Sequence, residues 1–254
     1  MTDHNANAAR LRELHRPGEP LILPNAWDAA SATILEEAGY PAVATASAAI
    51  AAMLGYPDHE GAPADEMLAA AARVVRAVRV PVTVDAEAGY GLPAAELVER
   101  LVTMGAVGCN LEDTDHKTGA LVPAAEQAER IAAVRAAAES AGTDLVINAR
   151  ADVFVNKVAE PVAEAIERGR LYLEAGADCI YPIAVSAEDD IAVLAKEIPG
   201  PINTNSFPGG ATPARLAALG VARISFGPMP YLMALDTLKG MANRLLAGDD
   251  PYTA

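Results

Sequence analysis

Basic residues are scarce in this chain: 19 Lys and Arg stand against 34 Asp and Glu in 254 residues, a formal charge of −15. A phosphate backbone calls for a basic surface, so the deficit excludes a general nucleic-acid binder. Cysteine is nearly absent. The two present, Cys109 and Cys179, lie inside apolar runs, so neither a disulfide framework nor a zinc cluster is expected, and a reducing cytoplasm suits the chain. No stretch of about 18 uninterrupted apolar residues occurs, so no membrane span is expected. Residues 1–20 carry charge throughout and lack an apolar centre, so no secretory signal is expected there. A Gly-rich turn is also missing after the first apolar run, where Pro24-Asn25-Ala26-Trp27-Asp28 stands instead. That absence argues against a doubly wound dinucleotide fold.

What the chain does have is core material. With 52% apolar and 21% charged residues, it is globular rather than disordered. Its 57 alanines concentrate in stretches such as AAAARVVRAV and RIAAVRAAAES, which favour helix and close packing. Eight short apolar runs read as strands: 21–23, 42–46, 80–84, 108–111, 145–148, 179–183, 201–204 and 223–226. Helical segments alternate with them at 28–38, 63–77, 93–104, 123–141, 161–175, 187–197, 213–219 and 230–246. Many open near Pro and close at Gly, the usual punctuation of helices. Strict alternation, with strands too apolar to have a wet face, indicates an α/β fold whose parallel strands close into a (β/α)8 TIM-type barrel. The expected organisation is one barrel domain over 1–254, with residues 1–18 as an N-terminal extension.

In such a barrel the chemistry sits where the strands end. Polar residues at those ends include Asn25, Thr45, Ser47, Asp85, Glu87, Glu112, Asp113, Asn148, Arg150, Asp152, Asn203, Asn205 and Ser225. Asp85 and Glu87 close the third strand; Glu112 and Asp113 close the fourth. Carboxylates converging from neighbouring strands repel unless a cation neutralises them, and hard oxygen ligands suit Mg2+ or Mn2+. The same acids could instead cap helices or pair with surface cations. Arg150, directly after an apolar strand, could clamp a substrate carboxylate or bridge to Asp152 or Glu112. The polar segment 113–121, DTDHKTGAL, has the character of a mobile loop offering His116 and Lys117 as acid/base or anion-binding groups. A loop after strand 2, 55–60, could bring Asp58 toward a metal.

Seven words, PNAWDAASA (24–32), LGYPD (54–58), VTVDAEAGYG (82–91), GCNLED (108–113), INARAD (147–152), YLEAGADCIY (172–181) and GVARISFGP (220–228), together resemble the isocitrate lyase/phosphoenolpyruvate mutase superfamily. The resemblance runs from about Leu21 to Leu232. It implies a Mg2+-binding barrel, assembled as a homotetramer or dimer of dimers with the last helix exchanged between subunits. By motif position it implies Asp85 as the direct metal ligand, with Asp58, Glu87 and Glu112 around it through water. Arg150 matches the arginine that holds a substrate carboxylate, and Thr45, Ala46 and Ser47 match the turn that grips the substrate's oxo-acid end. Asn205 is expected among the substrate-binding residues, and Lys117, His116 and Arg150 among the catalytic ones. The implied chemistry passes through a metal-stabilised enolate, making or breaking a C–C or C–P bond.

Two departures bear on the reaction. The lyase branch carries a catalytic cysteine in the strand-4 loop; here DHKTGAL has none, and Lys117-Thr118 matches only half of the mutase loop before Gly119. At the end of strand 6, Ile183 stands where mutases carry His and lyases Glu. Three readings follow: a Mg2+-dependent lyase of a small anionic 2-hydroxy or 2-oxo di- or tricarboxylate, a C–P bond enzyme, or a non-catalytic ligand-binding barrel.

Overall fold

The computed structural model describes residues 2–252. The chain opens with α1 (Thr2–Glu13), then β1 (Leu21–Leu23), β2 (Asn25–Ala26), α2 (Ala29–Glu37), β3 (Val43–Thr45), α3 (Ser47–Leu54) and α4 (Ala64–Ala77). It continues through β4 (Val82–Asp85), α5 (Ala94–Met104), β5 (Gly108–Glu112), β6 (Thr114–Asp115), β7 (Ala120–Leu121) and α6 (Ala124–Ser140). The last part holds β8 (Val146–Ala151), α7 (Pro161–Glu174), β9 (Cys179–Pro182), α8 (Glu188–Glu197), β10 (Asn203–Asn205), α9 (Pro213–Ala218), β11 (Arg223–Ser225) and α10 (Met229–Ala247).

The strands close into a parallel barrel. One sheet runs β2-β3-β4-β5-β8-β9 and another β1-β11-β10. Pro24 separates β1 from β2 on one stretch of chain, and a parallel bridge between Ile180 and Ile202 joins the other two edges. Burial follows from this closure. All residues of β5 and all of β8 but Arg150 are buried, because helices cover one face while the barrel interior fills the other. The helices start without side-chain caps at Pro63, Pro93 and Pro123. Acids in their first turns, Asp65 and Glu66, Glu96, and Glu126, face the unpaired N–H groups instead.

Helix α1 packs across the barrel's N-terminal end. Ala8 and Leu11 are fully buried beside Leu21, Leu23, Ala42 and Val146. Contact is close enough to require glycine at 108, where a Cβ would stand 2.9 Å from the Val146 carbonyl oxygen and 3.0 Å from Leu11. At the opposite end of the chain, α10 buries none of its residues. Leu232, Met233, Leu235, Leu238, Leu245 and Leu246 are exposed on it. No helix among the described residues is long and apolar enough to cross a membrane.

Two elements depart from the expected alternation. Helix α3 follows β3 at once, and the loop 113–121 is a small β6–β7 hairpin. Strand β8 also runs on to Ala151, so Arg150 lies within a strand rather than after it.

Candidate active site

The floor of the site is set by three neighbouring segments. Thr45 Oγ1 accepts from the Asp85 N–H at 2.8 Å, fixing β4 against β3. The Asp85 carboxylate then accepts from the Ser47 N–H at 3.0 Å and from Asn110 Nδ2 at 3.4 Å. Ser47 opens α3, so this carboxylate sits on free N–H groups at the positive end of a helix. The chain thus spends on Asp85 an N–H expected to grip substrate. Thr45 is itself fully buried, whereas Ala46 and Ser47 line a cavity of about 170 Å³ at the barrel mouth together with Asp58, Asp85 and Arg150.

Beyond β4 the backbone bends sharply. Glu87 and Tyr90 take positive φ angles of 48° and 58°, as do His59 and Glu60 at 63° and 56°. Such conformations in non-glycine residues cost about 1–3 kcal/mol each and persist where surrounding contacts impose them. Here the contacts are mutual: the Glu60 N–H donates to the Glu87 carboxylate and the Tyr90 N–H to the Glu60 carboxylate. Glu87 is 2% exposed. Burial pushes its carboxyl up to about 8; the Glu60 N–H opposes this, and the charges of Asp85, Asp58 and Glu112 add to it. The acid cluster is therefore short of positive charge.

Arg150 supplies part of it. Its Nη1 pairs with Glu112, while Nε and Nη2 clamp Asp152 at 2.6 and 3.2 Å. Both salt bridges open to Arg150 in the sequence are formed together. Burial works against the guanidinium's charge, but Glu112 and Asp152 outweigh it and hold its pKa above the ordinary value. Glu112 Oε1 receives His116 Nε2. This contact raises the His116 pKa, favouring the imidazolium. The His59 ring lies beside His116 at a centroid distance of 5.3 Å.

The hairpin brings His116 inward. Asp115 accepts from the Lys117 N–H and from Thr118 Oγ1, both at 2.9 Å, and Gly119 takes φ 72° to complete the turn. Lys117 is consequently exposed and, together with His116 and Glu112, lines a cavity of about 400 Å³ between the hairpin and α6. Asp113 is not part of the acid cluster. Its Oδ2 accepts from Arg168 at 2.9 Å and Tyr172 at 2.7 Å, and its Oδ1 from the Asp152 N–H. Asn205 does not line the barrel-mouth cavity; its Oδ1 holds the Ala184 N–H at 3.1 Å.

Ligand atoms of Glu87, Glu112 and His116 all lie within 4.8 Å of one another. With Asp85 and Asp58 beside them, these hard donors and the surplus negative charge fit a divalent cation. Residues that sequence reasoning did not single out also meet here. Tyr181, whose hydroxyl burial pushes up to about 12, lines the cavity next to Asn110 and Ser225, and Glu60 joins Glu87 to Tyr90. Only alternation along each strand could have flagged Tyr181, and nothing in the sequence brings Glu60 to Glu87. Cys109 and Cys179 are buried with thiols pushed up to about 12 by burial, so neither acts as a nucleophile.

Comparison with known proteins gives a consistent result. The model of the phosphoenolpyruvate phosphomutase family matches residues 11–246. The 2-methylisocitrate lyase of Bacillus subtilis strain 168 is 34% identical over 215 residues, 81% of this chain and 69% of that protein. The 2,3-dimethylmalate lyase of Eubacterium barkeri is 33% identical over 227 residues, covering 84% and 77%. Among solved structures, a candidate phosphonomutase from Burkholderia cenocepacia J2315 superposes with a TM-score of 0.89 at 43% identity, covering 94% of this chain and all of that one.

Proposed function

Because the chain belongs to the phosphoenolpyruvate phosphomutase family, whose relatives are lyases and mutases, we propose that it is a carbon–carbon lyase of a small 2-hydroxy or 2-oxo carboxylate. The observation that carries this reading is the seating of His116 on Glu112, whose other oxygen meets Arg150. Glu112 thereby links a proton carrier, a carboxylate clamp and the acid cluster.

In this reading Arg150 binds the substrate carboxylate with the N–H groups left free by Glu112 and Asp152. Neutral His116, its Nε2 exchanging Glu112 for the substrate, takes the proton of the hydroxyl at the bond to be broken and returns it to the enolate carbon. Ser47 and Ala46 orient the oxo-acid end. Asp85, Asp58, Glu87 and Glu112 would hold Mg2+, or Mn2+, which would supply polarisation of the oxo group and positive charge to offset the enolate. The hairpin excludes water while it is closed. The exposed apolar face of α10 supports a homo-oligomer, a tetramer or dimer of dimers in which this helix is covered by a partner.

The test is release of an oxo acid by Mg2+-loaded protein from a panel of hydroxy and oxo acids, run beside phosphorus NMR with phosphonopyruvate. Metal-dependent oxo-acid release with no new phosphate signal is expected. Phosphate release, or no turnover of any acid, overturns the reading.

A further inference from the structure

The barrel-mouth cavity of about 170 Å³ equals the liquid volume of about six waters, so it takes a small acid. Its charge pattern is more informative. Arg150 is the one cation among its described lining residues, and three of that guanidinium's N–H directions are already committed to Glu112 and Asp152. The other cations nearby do not line it. His116 sits on Glu112, Arg168 on Asp113, and Arg223 is fully buried with Nη2 on Asn110 and its Nε and Nη1 unpaired. Lys117 and Arg130 line the neighbouring cavity. The apolar part of the lining includes Ile183, Gly227 and Pro228, beside the polar groups of Asn25, Ser47, Asn110, Tyr181 and Ser225. Ile183 is held there from behind, because Asn205 fixes the next residue, Ala184, at φ 66°.

A second carboxylate on the substrate would find no second cationic side chain among the described lining residues, in a cavity that already contains Asp58 and Asp85. An unpaired buried charge is disfavoured strongly. We infer that the substrate is a monocarboxylate, a 4-hydroxy-2-oxo acid whose carboxylate meets Arg150 and whose short apolar substituent packs on Ile183 and Pro228. This narrows the di- and tricarboxylates implied by the sequence resemblance, and it rests on the lyase reading above. The step balances without a co-reactant. The C3–C4 bond breaks, its electron pair forms the C2–C3 enolate, and the 4-hydroxyl proton passes to His116. C4 leaves as an aldehyde, and His116 returns the proton to C3 to give pyruvate.

Two measurements on the full-length, Mg2+-loaded protein separate this inference from the reading beneath it. The first is binding: thermal shift with pyruvate and 2-oxobutyrate against oxaloacetate and 2-oxoglutarate. The monoacids are expected to stabilise more, and Ile183→Arg, at a half-buried position, is expected to reverse the order. The second is turnover: 4-hydroxy-2-oxopentanoate is expected to exceed 2-methylisocitrate and 2,3-dimethylmalate in kcat/KM by about a hundredfold, the effect of one unpaired charge. Preferential binding or turnover of the diacids or triacids overturns the monocarboxylate inference. Preferential binding of monoacids with no cleavage of any acid leaves the charge argument standing and overturns the lyase reading.

Discussion

His116 and Lys117 are neighbours in sequence and line the same cavity, but only His116 reaches Glu112. Asp115 and Gly119 build the turn that carries them, and the consequence is chemical. If His116 carries the proton, His116→Asn lowers kcat by about 10²–10⁴-fold, whereas Lys117→Ala changes it by only a few-fold; steady-state kinetics on one oxo-acid substrate checks both. Asp85 makes a comparable claim. Asp85→Asn should weaken Mg2+ binding at least tenfold in isothermal titration while leaving the fold intact, since an amide oxygen can still accept from Ser47. The candidate residue types could be picked out in the sequence because they stand at strand ends, although caps and salt bridges were equally open uses for them. Their pairing could not be read. Glu112 and Asp113 are adjacent and look equivalent, yet successive side chains point to opposite faces, sending one toward His116 and the other to Arg168 and Tyr172.

The hairpin is anchored at its base. Arg168 Nη1 donates to Asp113 Oδ2 and to the Val122 carbonyl, each at 2.9 Å, and the Val122 N–H returns to the Asp113 carbonyl. Both ends of the segment carrying His116 therefore converge on one buried guanidinium. Removing it strands Asp113, so Arg168→Ala should cost about 3 kcal/mol in denaturant unfolding. Tyr172→Phe, losing one hydrogen bond to the same carboxylate, should cost about 1 kcal/mol. Pro and Gly punctuation made the barrel helices readable, but this hairpin pairs only two residues per strand, too few to show alternation. Helix α3 escaped for a different reason. It begins at Ser47 with no Pro and no side-chain cap, so no start signal marks it.

At the level of the whole molecule, closure of the barrel leaves His15 in an unusual place. It is 7% exposed, with Nδ1 bonded to the Leu11 carbonyl at 2.8 Å. Burial, and then the charge of Arg223, lower its pKa from 6.5 to about 4. The unfolded chain binds this proton more readily, so stability falls as pH drops from about 6.5 to 4, by at most about 3 kcal/mol. Unfolding midpoints measured across that window should decline, and His15→Gln should flatten the decline. The exposed leucines of α10 concern assembly instead. If partners cover them, Leu238→Asp should shift the sedimentation profile toward monomer. Eight alternating units, read from the sequence, sufficed for the barrel; α10's exposed apolar face shows only once the fold is drawn, because the helix touches its own chain near Tyr231 and Trp27 yet buries none of its residues fully.

The central claim is that Glu112 links a carboxylate clamp, a cation-binding acid cluster and the His116 proton carrier. A crystal structure with Mg2+ and oxalate tests it most directly. The account predicts the cation among Asp85, Asp58, Glu87 and Glu112, an oxalate carboxylate on Arg150, and His116 facing the ligand from the closed hairpin. Oxalate bound in the outer cavity against Lys117 and Arg130, or a cation away from Asp85, would contradict it.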